Sequence, residues 1–122
     1  MNWELSDAKP IWQQLHERLT QRIATGVYPK GSRMPAVREL AAEAGVNPNT
    51  MQRALAQLES DGLVLTNRTA GRTVTEDGVR LSELCMRLAN EKIKQYLDSM
   101  ALLGFSREEA TALLEKWEEN TQ

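Results

Sequence analysis

Met34-Pro-Ala-Val-Arg-Glu-Leu-Ala-Ala-Glu-Ala-Gly-Val-Asn-Pro-Asn-Thr-Met-Gln-Arg-Ala-Leu-Ala-Gln-Leu-Glu-Ser-Asp-Gly-Leu63 encodes two short amphipathic helices around a tight turn. The first is expected to open at Pro35, whose fixed φ suits an initial helical position, and to turn Val37, Leu40 and Ala41 to one face. It should stop at Ala44-Gly45, because glycine takes the left-handed conformation of a helix end and lets Val46 drop back onto the core. The second helix follows at once, with Asn47 as N-cap, Pro48 in the first position, and Met51, Leu55 and Leu58 recurring at i, i+4 and i+7. Its opposite face carries Asn49, Gln52, Arg53 and Gln57, none of them acidic. Asn, Gln and Arg are the side chains that match base edges, although a plain helical hairpin with a solvated polar face fits this segment too.

After Gly62 the pattern changes from helical to alternating. Leu63-Val-Leu-Thr-Asn-Arg-Thr69, a turn at Ala70-Gly71, and Arg72-Thr-Val-Thr75 read as a β-hairpin. A hairpin at this place is a wing, and its tip would hold Arg68, Thr69, Gly71 and Arg72. Gly71 permits close backbone approach to another surface, and the two arginines suit phosphate or a narrow minor groove. The alternative is an ordinary solvated hairpin, since Arg and Thr are common on exposed strands.

These residues resemble the GntR family of bacterial winged helix-turn-helix transcription regulators. The resemblance spans residues 10–74, in the blocks Pro10-Ile-Trp-Gln-Gln-Leu, Ile23-Ala-Thr-Gly-Val-Tyr-Pro-Lys-Gly-Ser-Arg-Met-Pro-Ala-Val-Arg-Glu-Leu-Ala, Val46-Asn-Pro-Asn-Thr-Met-Gln-Arg-Ala and Leu58-Glu-Ser-Asp-Gly-Leu. Asn-Pro-Asn-Thr and the short tail look most like the YtrA subfamily, in which two helices replace a large effector domain. The resemblance implies a dimeric, promoter-binding repressor. It gives Arg38 the position of an arginine that commonly contacts DNA, and it places base and phosphate contacts at Asn47, Asn49, Thr50, Gln52 and Arg53. Gly71 matches the glycine of the wing tip, but relatives often run Gly-x-Gly-Thr-Phe-Val, whereas Gly71-Arg72-Thr73-Val74 lacks the second glycine and the phenylalanine. The wing is therefore the less family-like part of the match.

The fold expected is mainly α with a small β-hairpin wing (α+β): a winged helix-turn-helix over residues 1–76 and a two-helix dimerisation tail over residues 77–122. At 122 residues and 41% hydrophobic, the chain can bury one modest core. Net charge is −2, which argues against indiscriminate coating of nucleic acid. Residues 1–76 carry nine Lys and Arg against eight acids, and residues 77–122 six against nine. The contrast is in the direction of a DNA-facing end and an acidic end turned away, and it is small.

Before the motif, residues 1–10 should form an extended arm and residues 10–25 a helix with Ile11, Leu15, Leu19 and Ile23 in its core stripe, Trp12 and His16 beside it, and Gly26 ending it. Residues 28–33 read as a turn-rich loop from which Lys30, Ser32 and Arg33 could reach phosphates or simply face solvent. His16 is the one histidine, so a multi-histidine metal site is excluded and no metal or cofactor is expected. Cys85 is the one cysteine: no intrachain disulfide can form, a reducing cytoplasm is the natural setting, and its place in an apolar stripe predicts core packing. No signal peptide or membrane-spanning run is visible.

From Gly78, Leu81, Leu84, Cys85, Leu88, Ile93, Tyr96, Leu97 and Met100 mark a long helix, broken at Leu103-Gly-Phe105. Ser106 and Glu109 form a capping box that opens a last helix, with Ala110, Leu113, Leu114 and Trp117 on one face. So much apolar surface calls for a partner chain, with Leu84, Leu88, Ile93, Tyr96, Leu97, Leu113, Leu114 and Trp117 at a homodimer interface. An intramolecular clasp is the alternative. Two helices leave little room for a ligand pocket, so no dedicated effector is expected, and Trp117, Tyr96 and Phe105 would line a small one if it bound at that interface. No phosphate loop, nucleophile motif or paired acid and base suggests an enzyme. The function expected is a sequence-specific DNA-binding regulator, a homodimeric repressor on a near-palindromic double-stranded operator. Its rival is a winged-helix module for protein contact, or an anti-repressor, which would expose apolar anchors where this helix has Asn49, Gln52 and Arg53.

Overall fold

The computed structural model describes residues 3–119 and contains five helices and one hairpin among them. Residues 1, 2 and 120–122 of the two expected domains lie outside the described residues. The chain divides into two compact units, one ending at Glu83 and one beginning at Leu84.

In the first unit, α1 (Ile11–Ala24) buries Leu15, Leu19 and Ile23, while Ile11 stays half-buried at the helix start. Thr25 caps its end and Gly26, at φ 81°, turns the chain so that the Val27 N–H reaches back to the Arg22 carbonyl at 2.8 Å. The preceding arm is fastened to this helix. Buried Gln14 accepts from the Ser6 N–H and donates to the carbonyls of Ser6 and Lys9, and buried Trp3 lies under the Arg22 guanidinium, 4.0 Å from ring centroid to Cζ.

The helix-turn-helix consists of α2 (Val37–Ala44) and α3 (Pro48–Ser60). α2 begins two residues later than Pro35 suggested: its N-cap is Ala36, extended at ψ 153°. The cause is non-local. The Met34 N–H is bonded to the Arg72 carbonyl at 2.8 Å, so the incoming chain is tied to β2 and does not curl at Pro35. Gly45 ends α2 at φ 71°, ψ 37°, and the Val46 N–H closes on the Ala41 carbonyl at 3.0 Å. Leu40, Ala41, Met51, Ala54, Leu55 and Leu58 then meet the α1 stripe to form the core.

The wing is β1 (Val64–Asn67) paired antiparallel with β2 (Gly71–Val74), Val64 opposite Val74 and Asn67 opposite Gly71. Both strands are shorter than the alternation implied, and the turn is 68–70 rather than Ala70-Gly71. Asn67 is responsible: its Oδ1 accepts from the N–H groups of Thr69 (3.0 Å) and Ala70 (3.3 Å), which curls the chain one residue beyond it. Residues 31–33, part of the expected 28–33 loop, run beside β2 through Gly31 N–H to Val74 carbonyl (2.9 Å), Val74 N–H to Ser32 carbonyl (2.8 Å) and an Arg33–Thr73 bridge.

The long helix α4 (Gly78–Leu102) leads into the second unit, where α5 (Arg107–Lys116) follows the break at Gly104, φ 91°. The capping box is formed as its sequence predicts: the Glu109 N–H bonds the Ser106 hydroxyl (3.1 Å) and the Ser106 N–H the Glu109 carboxylate (2.9 Å). Trp117 is the C-cap of α5 rather than a member of the helix, since the backbone turns extended there. Cys85 is exposed, which corrects the expectation of a core thiol. An apolar stripe shows only that a helix is amphipathic, and along α4 Leu84 alone is buried.

Candidate nucleic-acid interface

The outer face of α3 is built from its cap upward. Asn47 is extended, and its Oδ1 accepts the Asn49 N–H at 2.8 Å, so this side chain organises the helix start. Pro48 in the first helical position then leaves Asn49 and Gln52 exposed on the first two turns, with Thr50 half-buried beside them. Gln57, expected on the same face, is turned away from it: half-buried, it donates to Asp61 Oδ1 at 3.1 Å. Arg38 stands exposed on α2. Among the described residues neither Arg38 nor Arg68 forms an ion pair. Their donors are thus available to an outside acceptor. Arg53 is exposed too, but its guanidinium is stacked on Trp12, with Cζ 4.2 Å from the ring centroid.

The wing contributes unequally. Arg68 and Thr69 project from its exposed turn, and Gly71, at φ 75°, is in the backbone region that favours glycine. Arg33 reaches the same tip because residues 31–34 flank β2. A β-carbon placed on Gly71 would lie 3.8 Å from Arg33 Nε. Arg72 is occupied elsewhere, its Nε donating to Glu59 Oε1 on α3 at 2.6 Å with the guanidinium largely buried. That bond holds the Glu59 carboxyl below the usual carboxylate range. Partial burial opposes the shift, and a hydrogen bond with Thr66 adds to it. Ser32 donates its hydroxyl to the Pro29 carbonyl at 2.6 Å.

Three cross-element contacts behind this surface have no local signature in the sequence. His16 on α1 pairs with Asp61 at the end of α3 (Nε2 to Oδ2, 2.6 Å), and Arg80 donates to the Asp61 carbonyl at 2.9 Å. Arg22 is buried between Trp3 and Tyr28, donating to the Tyr28 hydroxyl at 2.6 Å and lying 3.2 Å from Glu43. Arg72 and Glu59 form the third.

Residues 12–74 match the family described as bacterial regulatory proteins, gntR family. The chain belongs to the GntR family. It is 32% identical to the uncharacterized HTH-type transcriptional regulator YhcF of Bacillus subtilis, over 89% of this chain and 90% of that one. It is 33% identical to the HTH-type transcriptional repressor YtrA of the same organism, over 72% of this chain and 68% of the relative. A GntR family transcriptional regulator from Listeria monocytogenes has the same fold, with a TM-score of 0.85 and 36% identity over 93% of this chain and all of that one. The chain is accordingly a YtrA-like winged helix-turn-helix of a family of DNA-binding transcription regulators, not of enzymes. Among the described residues no cluster of three His, Cys, Asp or Glu is placed to hold a metal, and no helix is long and apolar enough to cross a membrane.

In the second unit, Leu88, Tyr96 and Leu97 of α4 are half-buried, while Ile93, Leu113, Leu114 and Trp117 are exposed, Trp117 by 68%. Between α4 and α5 runs an open groove of about 580 Å³, lined chiefly by Tyr96, Met100, Leu113, Leu114 and Trp117. The two helices therefore leave more room than their length suggested. Tyr96 is fixed there by its hydroxyl, which donates to the Ala110 carbonyl at 2.7 Å, and Phe105 is not part of the lining.

Proposed function

We propose that this chain is a homodimeric repressor that occupies a near-palindromic operator, working in the cytoplasm. Residues 1–76 serve as its DNA-binding domain and residues 77–122 as its dimerisation tail. The observation that carries the reading is a set of exposed side-chain donors without internal ion pairs among the described residues: Arg38 on α2, and Asn49 and Gln52 on the first turns of α3. Arg pairs bidentately with guanine, and Asn or Gln with adenine, so this face has the chemistry of major-groove readout. Arg53 and Thr50 flank it, and Arg33 and Arg68 bring positive charge to the wing, where phosphate or the minor groove lies.

Dimerisation is supported by the apolar side chains left uncovered in the second unit, Ile93, Leu113, Leu114 and Trp117, and by the groove beside them. A second copy supplies matching surface under twofold symmetry. Two recognition helices then meet half-sites about one helical turn apart. The repressor sign draws on the relative named as a repressor.

Selection of bound duplexes from a random pool at near-physiological salt tests the reading, because non-specific attraction is weak there. Enrichment of a near-palindrome is expected, and Arg38→Ala should weaken binding to it while light scattering still finds a dimer. No enrichment by a folded protein would favour a protein-docking module or anti-repressor. A stable monomer would refute the dimer.

A further inference from the structure

We infer that Trp12 is a positioning residue for DNA recognition: its ring holds the Arg53 guanidinium in place on the recognition surface with the hydrogen-bond donors unoccupied. The inference rests on the reading of α3 as the DNA-facing helix.

Arg53 follows Gln52 and lies one turn beyond Asn49 on the exposed side of α3. Arg53 is exposed, whereas the arginines that are buried or half-buried in this unit are bonded to acceptors. Arg22 meets Tyr28 and Glu43, Arg18 the Trp3 carbonyl, and Arg72 meets Glu59. Among the described residues Arg53 has no such acceptor. It has the Trp12 ring, 4.2 Å from its Cζ. The distinction matters because stacking uses the flat face of the guanidinium, whereas its five N–H donors lie in the plane and point outward from the edge. An ion pair would fix the side chain by occupying those donors. A ring fixes it and leaves them for a phosphate or a base.

Trp12 stands three and seven residues before Leu15 and Leu19, at the outer end of the α1 stripe, and is only half-buried there, so part of its ring is left outside the core. A large ring at the junction of α1 and α3, exposed enough to carry a cation, forms a platform for that cation. An unsupported arginine samples many rotamers and must be ordered when DNA arrives. The ring removes part of that ordering from the binding step.

A double-mutant cycle on the duplex enriched from the random pool tests this, with affinities measured at several salt concentrations. Arg53→Ala should lower affinity and reduce the dependence of log K on log salt by about one unit if Arg53 meets a phosphate, or relax preference at one base if it meets an edge. Trp12→Leu should lower affinity by about three- to fivefold, the scale of an exposed cation–π contact. In the Arg53→Ala background Trp12→Leu should change nothing further. Trp12→Phe keeps a flat face, so it should retain most of the affinity, and Trp12→Met, which removes the face but keeps an apolar side chain, takes the place of the leucine variant in the cycle if that variant fails to fold. Equal loss from Trp12→Leu in both backgrounds would overturn the inference, as would a gain in affinity, which would mean the ring withholds Arg53 from DNA. If Arg38→Ala abolishes binding and Arg53→Ala leaves it unchanged, DNA recognition stands and the role of Trp12 falls. A wild-type chain that enriches no duplex overturns both.

Discussion

Replacing Glu59 with Gln should destabilise the winged unit by about 1 kcal/mol at neutral pH. The Arg72–Glu59 contact joins β2 to the recognition helix at 2.6 Å, with the two side chains 19% and 33% exposed. A charge-assisted hydrogen bond contributes about 1.5–3 kcal/mol and a fully solvated ion pair about 0–1 kcal/mol. A half-screened pair falls between, and Gln still offers Arg72 a neutral acceptor, which sets the loss near 1 kcal/mol, or about 4 °C in Tm for a chain of this length. The pH dependence distinguishes this bond from general packing. Arg72 holds the folded Glu59 carboxyl below its usual range, so its contribution is complete above the unfolded value of about 4.3 and disappears as pH falls through the lower, folded value. Gln does not titrate. In urea unfolding at one protein concentration, the gap between wild type and Glu59→Gln should hold from pH 8 to about 5.5 and close below about 4. A gap that persists unchanged to pH 3, or no gap at pH 7, would refute the argument.

Gln52→Ala should reduce discrimination at one base position by about 1–3 kcal/mol if its amide pairs bidentately with adenine. Equal losses on operator and random duplexes would assign Gln52 to the phosphate backbone. Asn47→Asp preserves an equally good helix cap but sets a carboxylate beside DNA, so thermal stability should hold while operator affinity falls. Unchanged affinity would leave Asn47 a cap and nothing more. Gly45→Ala adds a β-carbon into open space at φ 71°, so its cost is the left-handed backbone alone, about 1 kcal/mol in denaturant unfolding, and Gly45→Asn should recover part of it.

The parts of this fold legible in the sequence are those with local causes. Asn47-Pro48 starts α3, Gly45 stops α2, and Ser106 with Glu109 opens α5, because each signal acts within one turn of the helix it shapes. The parts that were not legible depend on a distant neighbour. Pro35 has the right φ for a helix start, yet β2 captures the chain through Met34 and postpones the start to Val37. Residues 31–34 contain turn formers and still bond to β2 through backbone groups and a bridge at Arg33, which brings Arg33 to the wing tip. Cys85 follows the apolar period of α4 and is nevertheless exposed, since periodicity defines a face without naming what covers it.

The same distinction divides the candidate DNA-binding residues by what the fold already asks of them. Asn47 caps a helix, Gly71 supplies a left-handed turn and Arg72 ties the wing to α3, so each contributes to shape before it meets any ligand. Arg38, Asn49, Gln52 and Arg68 have no such internal duty, and Arg33 and Arg53 are held by a strand and a ring that leave their charge outward. A chain of net charge −2 gains little from diffuse attraction to DNA. Its affinity must therefore come from a few cations fixed in direction. Internal acceptors would fix them at the expense of their donors, whereas backbone pairing at Arg33 and aromatic stacking at Arg53 fix them and keep the donors free. That is the physical reason to look for recognition where the arginines are supported but unpaired.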